Sequence, residues 1–110
     1  MATFEEFQQI DIRVGTILNA EAFPAAKKPA IKMQIDLGPE IGIKRSSAQL
    51  TVHYKPEGLV GRQVVAVVNF PVRRIATFDS EVLVLGALPV PTEVVLLHLD
   101  HAVANGTRIG

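Results

Sequence analysis

The stretch from Ile31 to Leu37 alternates without a break: Ile31, Met33, Ile35 and Leu37 are apolar, and Lys32, Gln34 and Asp36 are polar. Successive side chains of a strand point to opposite faces, so a period of two predicts a half-buried β-strand. Gly38-Pro39 ends it. The same alternation opens the chain, with Ile10, Ile12 and Val14 against Asp11 and Arg13, and after Gly15 the apolar position shifts by one, to Ile17. A glycine at such a change of parity predicts a bulge that coils the strand. A long first strand coiled in its middle serves both ends of a small barrel.

Further strands are predicted downstream. A more polar one covers about 43–52, with Ala48, Leu50 and Val52 inward. Val64 to Val68 is apolar at every position, which predicts a strand buried on both faces. Val82 to Leu85 is another, and a turn bracketed by Pro89 and Pro91 leads to a last one at Val94 to Leu99. Residues 19–30 and Pro71 to Asp79 read as loops, and Lys55 to Gly61 as a turn or a single helical turn. Ahead of the first strand, Thr3 and Glu6 stand in the spacing of a capping box, which predicts a short helix with Phe4 and Phe7 on one face. So short a helix is marginal alone in water, and its two rings require a covering surface.

The chain has 110 residues, enough for one domain and too few for two. Short strands separated by turns every ten or so residues, with little helix, predict an all-β fold. The best match is a five-stranded OB-fold barrel with a short N-terminal helix and a C-terminal strand and tail extension, a single domain over 1–110. A sandwich and an SH3-like barrel are the alternatives that the pattern leaves open.

With no cysteine, disulfide scaffolds, thiolate zinc sites and cysteine nucleophiles are excluded. MATFEEFQQI has no basic segment followed by an apolar one, and the longest apolar run, Val64 to Val68, is far shorter than a membrane span. The expectation is a cytoplasmic protein without membrane insertion. His53, His98 and His101 fit no metal-binding spacing, and Ser46 and Ser47 lack the glycines of a nucleophile elbow. No catalytic constellation is present, so neither an enzyme nor a metal or cofactor is expected.

Eleven Lys and Arg balance eleven Asp and Glu, but they are not spread evenly. Residues 44–74 hold six basic side chains and one acidic, whereas 75–110 hold one basic and four acidic. An OB barrel binds its ligands between the loop after strand 1 and the loop after strand 4. Here those loops carry Lys27-Lys28 and Arg73-Arg74, and Lys32 on the second strand falls between them. The candidate RNA-binding set is therefore Lys27, Lys28, Lys32, Lys44, Arg45, Arg73, Arg74 and, from the family pattern below, Ser80. With one tyrosine and no tryptophan, recognition of a folded RNA's shape is favoured over base stacking.

Asp11-Ile12-Arg13-Val14-Gly15, Pro24, Ile35-Asp36-Leu37-Gly38, Ser46-Ser47, Tyr54, Gly61 and Val68-Asn69-Phe70 together resemble the tRNA-binding domain family, an OB-fold module. Longer segments, among them FPAAKKPAIKMQIDLG and YKPEGLVGRQVVAVVNFPVRRIATF, are similar to its export-related chaperone branch. The resemblance implies a homodimeric, non-catalytic chaperone that holds unfolded or precursor polypeptides for export and retains a capacity to bind tRNA, the alternative being a structure-specific tRNA binder without a chaperone role. Dimerisation would cover Phe4 and Phe7 and give the last strand, with Val95 and Leu97, a partner. Candidate polypeptide contacts are Phe23, Ile75 and Phe78. The family often carries Ser-x-Gly-Met at the fifth strand. Here Ser80 matches, but Glu81 and Val82 follow it, and a carboxylate at that place repels phosphate.

Overall fold

The computed structural model describes residues 1–110 and begins with helix α1 (Phe4–Gln8). Its capping box is complete. The Glu6 N–H donates to the Thr3 hydroxyl at 3.2 Å, and the Thr3 N–H donates to the Glu6 carboxylate at 2.9 Å. None of the helix is buried: Phe4 is 69% exposed and Phe7 39%.

Four strands follow, β1 (Ile12–Ala22), β2 (Ile31–Asp36), β3 (Ile43–Ala48) and β4 (Gln63–Val67). Single helical turns lie between them, α2 (Gly38–Ile41) before β3 and α3 (Pro56–Leu59) before β4. Then come β5 (Arg73–Ile75), β6 (Phe78–Ser80), β7 (Leu83–Val84), β8 (Gly86–Val90) and β9 (Glu93–Leu96). The main sheet is antiparallel in the order β3-β2-β1-β4-β7, while β5-β6 and β8-β9 are separate hairpins.

Residues 80–82 close the sheet on itself. The N–H groups of Glu81 and Val82 donate to the Arg45 carbonyl at 2.8 and 3.3 Å. The Ser46 hydroxyl donates to the Val82 carbonyl, and the Ser47 N–H donates to the Ser80 hydroxyl. The result is the nearly closed five-stranded OB barrel that the pattern predicts, with its short N-terminal helix, rather than a sandwich or an SH3-like barrel. The main core lies inside, built on Ile17, Met33, Ile35, Leu37, Leu50, Leu59 and Val64. A smaller cluster of Ile12, Val65 and Val67 covers the other face of β4, so the unbroken apolar run of that strand is buried on both sides.

The tail from Asn105 completes β1. This strand pairs with β4 through Ile12–Thr16 and with β2 through Thr16–Ala22, so β2 leaves the first half of one edge open. The tail fills it: Val14 N–H donates to the Thr107 carbonyl, Gly106 N–H to the Val14 carbonyl and Ile109 N–H to the Ile12 carbonyl, at 2.7–2.9 Å. Arg13 fastens the same place, donating to Asp11 at 2.6 Å and to the Gly106 carbonyl at 3.0 Å. The hydrogen bond to Asp11 holds the Arg13 guanidinium's pKa above its ordinary value, with the charges of Asp11 and Glu40 adding and desolvation opposing.

Four local expectations need correction. The register irregularity of β1 falls between Ile17 and Asn19, not at Gly15, which pairs regularly with Val64. Gly15 is there for close approach, since a Cβ would stand 2.6 Å from Ile35 Cγ2 and 2.7 Å from Leu37 Cδ2. Strand β3 ends at Ala48; a turn closed by Tyr54 N–H to the Leu50 carbonyl buries Leu50 and leaves Val52 61% exposed. The last strand stops at Leu96 and pairs only with β8. Finally, Pro71 to Asp79 is not all loop, because Ala76-Thr77 turns β5 back on β6, with Ala76 at φ 52°. No Gly or Asn marks that turn in the sequence.

Candidate nucleic-acid interface

Alternation places Lys32 and Gln34 on the outer face of β2, opposite Glu21 and Asn19 of β1 and opposite Ser47 and Arg45 of β3. Lys32, Gln34, Glu21, Asn19 and Arg45, together with Phe78 of β6, line a shallow depression of about 460 Å³. Phe23, just beyond β1, reaches the same place from below. It is 5% exposed, and its ring meets Phe78 edge to face with centroids 5.5 Å apart. The Lys32 ammonium lies 5.1 Å from the Phe23 centroid and 5.7 Å from that of Phe78. The Arg45 guanidinium lies 5.6 Å from the Phe78 centroid. Two aromatic rings from distant parts of the chain thus carry two cations at the centre of the face.

Basic loops stand on either side. Lys27 and Lys28 are exposed on the 23–30 loop, whose base is closed by Phe23 N–H to the Ala30 carbonyl at 3.0 Å. Arg73 and Arg74 are exposed on β5, and the Phe23–Phe78 contact joins that hairpin to the loop. Carboxylates intrude among these cations. Glu81 accepts from Arg45 Nε at 3.4 Å and from the Arg45 backbone N–H at 3.0 Å. Asp79 stands 2.9 Å from Arg74 and 4.0 Å from Arg45, and Glu21 stands 3.3 Å from Lys32. Lys27, Lys28 and Arg73 form no ion pair.

The structure therefore gathers Phe23, Lys32, Arg45, Arg74 and Phe78, with Arg73 and the half-buried Ile75 on the same hairpin. It does not bring Lys44 to them. Lys44 sits opposite Ile35, on the side of β3 away from Arg45. Ser80 lies beneath the face, 9% exposed, with its hydroxyl accepting from Ser47. Phe4 and Phe7 are on α1, while Val95 and Leu97 are exposed on or just after β9, beside Leu88 and Val90 of β8. The sequence reading missed Asn19, Glu21, Gln34 and Asp79 as members of this face. A recognised β5–β6 hairpin is the signal that places Asp79 opposite Arg74.

A second cleft of about 390 Å³ lies between the start of β4 and the segment that follows β9, lined by Arg62, Gln63, Leu96 to Leu99, His101 and neighbours. No three His, Asp or Glu side chains gather as a metal site, and no helix is long and apolar enough to cross a membrane.

Residues 12–108 match the family model described as "Putative tRNA binding domain". The methionine–tRNA ligase of Methanococcoides burtonii is 34% identical over 109 residues, which are 99% of this chain but only 16% of that protein. The crystal structure of the chaperone CsaA from Bacillus anthracis is 54% identical with a TM-score of 0.95, covering 100% of this chain and 99% of that one. A CsaA chaperone structure from Picrophilus torridus is 46% identical with a TM-score of 0.91, covering 100% of both chains. With a family match over residues 12–108 and relatives alike along the full barrel, the chain belongs to the tRNA-binding domain family.

Proposed function

We propose that this protein binds tRNA, without catalysis, through the face between the 23–30 loop and the β5–β6 hairpin. The observation that carries this reading is the Phe23–Phe78 contact, which joins the loop bearing Lys27 and Lys28 to the hairpin bearing Arg73 and Arg74. Both rings already carry cations, so phosphodiester contact suits the face better than base stacking. Lys27, Lys28 and Arg73 are the cations with no carboxylate partner, and Lys32, Arg45 and Arg74 stand between or beside them. If each of the three unpaired cations neutralises one phosphate, log affinity falls with log salt at a slope of about −2 to −3 per face.

The test is a titration of tRNA across a salt series, with Arg73→Glu/Arg74→Glu alongside. The double change should weaken binding at least tenfold, about 1.4 kcal/mol. Unchanged affinity in a folded variant overturns the placement of the RNA on this face.

A second reading, the holding of unfolded or precursor polypeptides in the cytoplasm before export, rests on the two similar structures described as CsaA chaperones. Of its candidate contacts Phe23, Ile75 and Phe78, the first is buried and the others are half-buried, which favours RNA as the ligand of this face. Binding of an unfolded polypeptide by an apolar groove responds little to salt, so the same series separates the two readings. Pairing of two copies through α1 and the β8–β9 hairpin is supported by the exposed Phe4, Phe7, Leu88, Val90, Val95 and Leu97.

A further inference from the structure

We propose that Asp79 and Glu81 are specificity-determining residues that compete with RNA phosphate for the arginines of the basic face. The inference rests on the tRNA-binding reading above and adds to it a selection among RNAs. Asp79 stands on β6 directly across from Arg74 and accepts from it at 2.9 Å, while its other oxygen lies 4.0 Å from Arg45. Glu81 holds Arg45 by both side chain and backbone. Each carboxylate thus occupies an arginine through one N–H donor, Asp79 at Arg74 and Glu81 at Arg45 Nε, where a phosphate oxygen would otherwise accept.

This has two physical consequences. A phosphate that reaches Arg45 or Arg74 must displace a carboxylate already in place, and the released carboxylate then collects its own counterion. Net counterion release at these two positions is therefore small, and they add little to non-specific affinity. Only an RNA whose shape also delivers phosphates to the unpaired Lys27, Lys28 and Arg73 gains the full attraction. A flexible single strand, which follows charge alone, gains least. The pairs are partly exposed, with Asp79 at 35% and Glu81 at 28%, so exchange is open to a ligand rather than locked.

The experiment compares the wild-type protein with Asp79→Asn and Asp79→Asn/Glu81→Gln, measuring binding of tRNA and of polyuridylate across a series of salt concentrations. Both changes keep the side-chain shape, and the amide introduced by Glu81→Gln still offers an oxygen to the Arg45 backbone N–H. Asp79→Asn alone touches no backbone bond, so the inference stays testable if the double variant unfolds. Polyuridylate affinity should rise about threefold to tenfold, tRNA affinity should rise less, and the log–log slope should steepen by about one to two. If affinity and slope do not change while Arg73→Glu/Arg74→Glu still weakens tRNA binding at least tenfold, the competitor role is overturned and the tRNA-binding reading survives. If that double arginine change also has no effect, the tRNA-binding reading fails and the competitor role falls with it.

Discussion

Phe23 and Phe78 meet edge to face with ring centroids 5.5 Å apart, tying the loop that bears Lys27 and Lys28 to the hairpin that bears Arg73 and Arg74. Removing one ring should loosen both. Phe78→Ala is expected to lower stability by about 1–3 kcal/mol in urea unfolding, less than a fully buried Phe because the ring is half-exposed. Hydrogen exchange at the Phe23 and Ala26 amides should speed up in the same variant, since those bonds close the base of the loop.

Gly15→Ala tests the close packing of β1 on β2. The added methyl has to displace Ile35, Leu37 and the backbone carbonyl of Asp36 in a filled core. A loss of about 1–3 kcal/mol in thermal or urea unfolding is expected. A change within experimental error shows that the two strands have room to part.

Ala76→Gly should act in the other direction. Ala76 holds φ 52° at the tip of the β5–β6 hairpin, where an L side chain is strained and glycine is not. After allowance for the greater freedom of glycine in the unfolded chain, a gain of about 0.5–1 kcal/mol is expected. The midpoint of urea unfolding reads it directly.

Phe4→Ser/Phe7→Ser addresses the pairing of two copies. Neither ring has a partner deep in the barrel, so the change should spare the fold and shift the mass measured in solution towards the monomer. A mass identical to that of the wild-type protein removes α1 from the interface and leaves the β8–β9 hairpin to be tested through Val95 and Leu97.

Tyr54→Phe removes the hydroxyl that accepts the Leu96 N–H at 3.0 Å. That bond, with the His53–Glu93 pair, holds the β8–β9 hairpin against the barrel. A cost of about 1 kcal/mol is expected, with faster exchange at the Leu96 amide.

The strands whose residues face water on one side only were legible, because their alternation is a direct print of burial: β2 reads off Ile31 to Leu37, and the doubly buried β4 off its unbroken apolar run. The capping box at Thr3 was equally plain, since both of its hydrogen bonds are local. Features set by distant pairing were not. The bulge lies where β1 changes partner from β4 to β2, which no residue near Gly15 records. In the site, neighbouring Lys44 and Arg45 look equivalent in a charge tally, yet alternation sends them to opposite sides of β3. The block of acidic residues after 75 looked remote from the arginines, although the hairpin returns Asp79 to Arg74.

The tail that completes β1 also bears on the order in which the barrel assembles. Val14 donates to Thr107 and Ile109 to Ile12, so residues 106–109 must have been translated before β1 has all its neighbours. Until then a row of unmatched amides and carbonyls stays open beside Ile12 and Val14, a template for unwanted association that a nascent chain can cover only when residues 106–109 emerge.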